Sequence, residues 1–470
     1  MAARTITHFS NRPSGMTIRS LDFKIEEIAY ERPLDVFSKL VDEYDYVYLL
    51  ESVTGPQKLA EFSFIGFDPR IVIRVKDGKA EIRGEKKDFF KTNDPLEIVK
   101  EEISTKLLPL GYPRFTGGAV GYISYDAVRY WEHLSSIAVD DLKLPDLEMG
   151  IYDDGIVFEH SKRKAYYFYT AENRLSTLER KIKSSRGLER LRFSRPKPNI
   201  RKEEYEEIVA KAKEYVFNGD IFQVVLSKRY SFNINGDFLR FYQALRRINP
   251  SPYMYFLKHD DTWIIGSSPE MLVRVEGKII ETYPIAGTRQ KTGNPKRDEK
   301  LARELLADPK ERAEHVMLVD LARNDLGRVA EYGSVKVPDF MVIHRYSHVQ
   351  HIVSRVVGVI APDKDCFDVL RTMLPAGTVS GAPKVRAMEI IEELEPTRRG
   401  PYAGAVGYFS YNGNADFAIT IRTLVVNKKR GHIQVGAGVV ADSIPEREWF
   451  ETEHKARALL KALNLAGDEK

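Results

Sequence analysis

Short apolar runs bounded by turn residues alternate with amphipathic stretches along most of this 470-residue chain. Toward the N-terminal side, residues 46–50, 62–66 and 71–75 are β-branched and aromatic and predict strands. The last of these closes on Asp77-Gly78, a hairpin-turn signal. Apolar spacing predicts a helix over 95–106. The glycine-rich run 117–122 and the apolar runs 156–158 and 165–169 continue the strand pattern. Residues 171–192 are basic, apolar-poor and helix-prone, and they lead into Ser194-Arg195-Pro196-Lys197-Pro198-Asn199, a segment suited to a boundary or exposed connection. Beyond it, 201–218 predicts a helix closed by Asn218-Gly219. Strands are expected at 221–230, 263–266, 271–275, 405–411, 417–426 and 433–440. Helices are expected over 298–323, 365–373, 384–394 and 446–463. This irregular order favours α+β or mixed sheets over a doubly wound parallel sheet. Two glycine-rich segments, 117–125 and 404–411, are alike and hint at related halves.

Composition narrows the class. The chain is 43% hydrophobic and 30% charged, ordinary for a globular protein, and its net charge is only +4. Nothing in that balance calls for a nucleic-acid or anionic-membrane surface. No run of about 18 apolar residues predicts a membrane span, and residues 1–20 lack the apolar core of a signal peptide. The single thiol, Cys366, excludes an internal disulfide or a cysteine-rich metal site and suits a cytoplasmic location. The length divides naturally into two parts, 1–195 and 196–470, intertwined rather than necessarily independent.

Several residues could carry chemistry. Glu311 and Glu314, and again Glu448 and Glu451, stand three apart on predicted helices, so each pair shares a helical face. Two such faces meeting would make an oxygen-rich pocket for a hard cation. Solvated surface glutamates are the commoner outcome of that spacing. Residues 377–384 contain glycines and a lysine but fail the phosphate-loop spacing, although a glycine-rich turn entering a helix can still face an anion. Gly436 and Gly438 would let a ligand approach a strand closely, or mark a bulge. Arg422 interrupts an apolar strand and needs an anionic partner, internal or bound. His344, His348 and His351 lie close in sequence, but no accompanying ligand motif points to zinc.

Taken together, Gly266-Ser267-Ser268-Pro269-Glu270, Pro284-Ile285-Ala286-Gly287-Thr288-Arg289, the run 314–325, the run 377–388 and residues 436–439 resemble the chorismate-utilising enzymes, and among them the anthranilate synthase large subunits. The resemblance implies two facing, mostly antiparallel β-sheets flanked by helices, with the active site in the cleft between them. It implies Mg²⁺ on Glu314 and Glu451, with Glu311 and Glu448 nearby. Tyr402, Arg422 and the Gly436–Gly438 backbone would take the pyruvyl carboxylate of chorismate, with Lys455 adding positive charge. Glu270 would be the general acid, Thr288 and Thr378 would line the pocket, and His351 would assist pyruvate loss. Water-using relatives carry a lysine base where this chain has Gln223, and aminodeoxychorismate synthases carry a lysine where it has Ala286. An ammonia nucleophile from a glutamine amidotransferase partner is therefore implied. A tryptophan feedback site is implied around Glu51, Ser52, Lys58, Pro252, Tyr253 and Met254. Aminodeoxychorismate synthase, salicylate or isochorismate synthase, and a catalytically inactive amino-acid sensor remain alternatives.

Overall fold

The computed structural model describes residues 4–5, 23–53, 61–104, 114–182, 187, 189–345 and 349–469. Within them the strands form two large sheets, antiparallel at nearly every pairing. This is the α+β arrangement of facing sheets expected from the sequence. Tyr48, Phe64, Tyr255, Leu257 and Ile264 of one sheet pack against Val120, Tyr122, Tyr152, Val406 and Tyr408 of the other, and all are buried. Helices cover the outer faces through two further apolar clusters. Burying one such side chain contributes about 1.5–3 kcal/mol, so this three-layer core fixes how the sheets face each other.

Each sheet mixes strands from both ends of the chain. Tyr46–Glu51 pairs with Tyr253–His259, which continues through Thr262–Ser268 and Thr423–Asn427 to Arg430–Val439 and Gln223–Asn235. In the other sheet the two similar glycine-rich segments turn out to be direct neighbours. Gly118–Ile123 and Ala405–Ser410 pair antiparallel, with Gly121 opposite Gly407. A Cβ on Gly121 would lie 2.1 Å from the Glu148 carbonyl, and one on Gly407 would lie 2.0 Å from the Asp416 carbonyl. Both glycines are thus required by close backbone approach. Asp77 and Gly78 form the expected two-residue hairpin turn, both at positive φ.

Three expectations need correction. The stretch 171–192 is not one helix: Leu175–Ile182 is helical, and Leu191–Phe193 is a strand paired with Gln223–Asn235. The stretch 298–323 is two helices, Pro295–Ala307 and Pro309–Gly327. Pro309 cannot continue a helix but suits the first position of a new one, and Asp308 caps it by accepting from the Lys310 and Glu311 amides. The stretch 417–426 is two strands, Ala415–Ile419 and Thr423–Asn427, broken where Arg422 adopts φ +53. The predicted helix end at Lys106 lies outside the described residues. Several strands escaped the periodicity, including Lys336–Arg345 and Val349–Val359.

Candidate active site

Both sheets and the helices Pro309–Gly327 and Pro445–Ala466 contribute to one cavity of about 740 Å³. Gln223, Glu270, Thr288, Glu311, Glu314, His351, Thr378, Tyr402, Arg422, Gly436, Gly438, Glu448, Glu451 and Lys455 all line it. Every catalytic, substrate-binding and metal candidate named above therefore meets in one place, across up to 232 positions of sequence. Lys310, Gln434 and His454 line it too and went unnoticed. Lys310 and His454 adjoin the acidic pairs, and that adjacency was the available signal.

Two helix starts supply the acidic wall. Glu311 and Glu448 sit in the first turns of their helices, where the dipole favours negative charge. Glu314 and Glu451 follow three residues later and reach the same cavity. Burial first, then the neighbouring Glu311, pushes the Glu314 carboxyl up, with Gln223 partly opposing. The Gln223 amide donates to Glu314 at 3.2 Å. Glu311 pairs with Arg289 at 3.0 Å, and Glu451 with Lys455 at 2.7 Å.

Beside these glutamates the cavity also holds groups suited to an anion. The strand break at Arg422 places its guanidinium against the cavity, where it donates to the Lys455 carbonyl at 2.7 Å. Among the described residues Arg422 has no carboxylate partner, and burial disfavours its charge. An uncompensated guanidinium in such a wall favours a bound carboxylate. Lys455 donates to the Gly436 carbonyl at 2.9 Å. Gly436 and Gly438 are glycines for a visible reason: added Cβ atoms would lie 2.7 Å from the Tyr402 hydroxyl and 2.5 Å from the Gln223 amide.

Glu270 and His351 supply proton chemistry. Burial pushes the Glu270 carboxyl up to about 7, with Thr378 and Lys455 opposing. Such a group carries a proton near neutrality, as a general acid must. His351 Nδ1 lies 2.9 Å from the Gly287 carbonyl, which can only accept. Nδ1 therefore carries the proton and Nε2 the lone pair of the neutral ring. Burial keeps that ring neutral by lowering its pKa. Thr288 Oγ1 stands 3.1 Å from the same Nδ1.

Arg399 ties these parts together from beneath. It is buried and donates to Glu395, to the Val379 carbonyl and to the Val225 carbonyl, the last two at 2.7 Å. Its guanidinium lies against the rings of Tyr125 and Tyr402. Glu395 in turn accepts from the amide and hydroxyl of Ser227. Breaking such a buried, fully bonded pair costs about 3–5 kcal/mol.

An all-oxygen donor set suits a hard divalent cation, and Glu448 Oε2 is buried without a partner. Among the described residues, however, no three acidic or histidine side chains gather closely enough to hold a metal as they stand. Glu311 and Glu451 are turned to Arg289 and Lys455 instead. The donor chemistry fits the ion; loading it requires those two pairs to loosen.

The sequence profile of the chorismate binding enzyme family matches residues 45–461. The chain belongs to that family. Among curated chorismate-binding relatives, anthranilate synthase component 1 of Methanothermobacter thermautotrophicus is 48% identical over 445 residues, covering 94% of both chains. The protein of the same name from Thermus thermophilus is 46% identical over 450 residues, covering 93% of this chain and 96% of its own. The crystal structure of anthranilate synthase component I from Streptococcus pneumoniae superposes with a TM-score of 0.76 at 38% identity, covering 87% of this chain and 94% of that one.

This chorismate-binding enzyme has a second, smaller pocket of about 60 Å³, lined by Glu51, Ser52, Pro252, Tyr253 and Met254. Phe62, Phe64, Arg114, Arg274, Tyr408 and Asp416 are also among its lining residues. Ser52 donates to the Pro252 carbonyl at 2.6 Å. The Glu51 carboxylate already accepts from Tyr242 at 3.0 Å and from Arg246 at 2.9 and 3.0 Å. Asp416 accepts from Arg274 at 2.8 Å and Tyr253 at 2.9 Å. Lys58 lies outside the described residues. Arg274 and Asp416 were missed, although a charge within an apolar strand was the signal to follow.

Proposed function

We propose that the chain converts chorismate to anthranilate in the cytoplasm, using Mg²⁺ and ammonia from a glutamine amidotransferase partner, with feedback inhibition by tryptophan. The observation that carries the reading is the cavity's make-up: a guanidinium with no carboxylate salt bridge among the described residues, a lysine, four glutamates and a carboxyl with a raised pKa line one space. Arg422, Tyr402 and the Gly436–Gly438 backbone would hold the pyruvyl carboxylate. Glu314 and Glu451, with Glu311 and Glu448 nearby, would hold Mg²⁺, which supplies charge against the ring carboxylate. Glu270 would give its proton to the departing ring hydroxyl, which leaves as water while ammonia attacks. His351, with its Nε2 lone pair, would take a proton as pyruvate departs and the ring becomes aromatic.

The nucleophile follows from the family resemblance, in which other members carry a lysine at the positions of Gln223 and Ala286. Gln223 and Ala286 line the cavity and neither offers an amine. Lys455 is engaged by Glu451 and the Gly436 carbonyl. The 43–48% identity of full-length relatives named anthranilate synthase component 1 supports the same reading. The test supplies chorismate, Mg²⁺ and ammonium salts and identifies the product. Fluorescent anthranilate and pyruvate are expected. Accumulation of 4-amino-4-deoxychorismate would overturn the assignment of Ala286, and an ammonia-independent hydroxylated product would overturn that of Gln223.

A further inference from the structure

Lys228 is a lysine with no exposed surface, and the proposed reaction gives it no task. It lies on the Gln223–Asn235 strand, five residues from Gln223. Its ammonium pairs with Glu453 and sits 2.9 Å from the centroid of the Trp449 ring, with Tyr205 and Tyr230 also around it. Tyr230 donates to the same Glu453 carboxylate. Trp449 and Glu453 are four apart, so they share one face of the Pro445–Ala466 helix. At about 100° per residue, Glu448, Glu451 and Lys455 lie on the other side, facing the cavity.

Stability alone does not account for this cation. Burying a charge is costly, and replacing a buried ion pair by apolar side chains of like volume is often neutral or stabilising. Apolar contacts would seal the helix to the strand while tolerating rotation or sliding. A cation held between one carboxylate and one indole accepts a single placement. The neighbouring strand carries Gly436 and Gly438 in fixed register, with Ser227 opposite Gly436 and Lys228 opposite Val435. The cavity's glycine wall and its glutamate helix are therefore referenced to the same short stretch of strand.

We infer that Lys228, through Trp449 and Glu453, is a positioning residue that sets how Glu448, Glu451 and Lys455 enter the cavity. The inference rests on the proposed role of those glutamates in holding a divalent ion. The test uses the full-length chain with Lys228→Met and, in case that variant does not fold, Glu453→Gln, which alters the half-exposed partner. Mn²⁺ binding is followed by electron paramagnetic resonance with chorismate present and ammonia absent. The Mg²⁺ requirement of anthranilate formation is measured in parallel. Loss of such a supporting partner weakens metal binding roughly 10-fold or more. That weakening is expected in both readouts for Lys228→Met, with a smaller shift for Glu453→Gln and with kcat at saturating Mg²⁺ within about threefold of wild type. A lowered melting temperature with wild-type Mn²⁺ affinity and Mg²⁺ requirement would reduce Lys228 to a packing residue and overturn the inference. Wild-type protein that binds no Mn²⁺ would instead remove the functional reading, and this inference with it.

Discussion

The large cavity and the pocket beside Ser52 differ in how their charges are paired. In the larger one, among the described residues, an arginine has no carboxylate salt bridge and a glutamate oxygen is buried without a hydrogen bond, and a carboxyl is held near its protonation midpoint at about 7. In the smaller one, Arg274 is paired with Asp416, Glu51 with Arg246, and aromatic rings close the walls. A site that must respond to changing charge on a substrate keeps its own charges incompletely answered. At about 60 Å³ the smaller pocket has room for only a few waters. Glu51 and Ser52 also line an adjoining cavity of about 680 Å³, with His160 and Arg246, so a ligand at these residues is not confined to the smaller space. The strand Met271–Glu276 begins one residue after Glu270 of the larger cavity and carries Arg274 of the smaller one.

The sharpest break in this contrast is Glu314→Gln. It should lower anthranilate formation by about 100-fold or more, several kcal/mol of transition-state stabilisation, while tryptophan binding measured by calorimetry stays unchanged. Lost binding of tryptophan would mean that the pockets are not separable.

Glu270→Gln should cost about 100-fold or more in kcat. In the wild type, kcat measured at fixed free ammonia should fall as pH rises through about 7, because the proton to be donated is lost. The same carboxyl has its pKa raised by folding from 4.5 to about 7, so its contribution to stability is complete below 4.5 and disappears as pH rises through 7. Thermal melts should therefore show Glu270→Gln gaining on wild type between pH 5 and 8. Parallel melting curves at both pH values would remove the raised carboxyl.

The smallest effect belongs to the second pocket. Ser52→Phe should fill it and raise the tryptophan concentration needed for half-inhibition roughly 10-fold or more, a loss of about 1.4 kcal/mol, with uninhibited turnover retained. Unaltered sensitivity would take Ser52 out of the regulatory site.

Much of the architecture could be read from short apolar runs and turn chemistry, because many strands are buried on both faces and stand out as continuous apolar segments. The failures share a cause. Pro309 and Arg422 each interrupt an otherwise continuous pattern with a local backbone demand, and periodicity averages such single residues away. The acidic pairs were legible as pairs, but only the fold shows that two helix starts face one cavity. Glu270 has no local signature at all and was found through family resemblance. Arg399 and Lys228 were invisible, since their partners lie at the end of a helix, across a sheet or more than two hundred residues downstream.

The interleaving of early and late strands has a consequence for inheritance. Severing the chain near its proline-rich connection would leave both fragments with bare, hydrogen-bond-hungry edges prone to aggregation. The catalytic cavity and the smaller pocket therefore travel as a single heritable unit: truncation cannot discard one and keep the other.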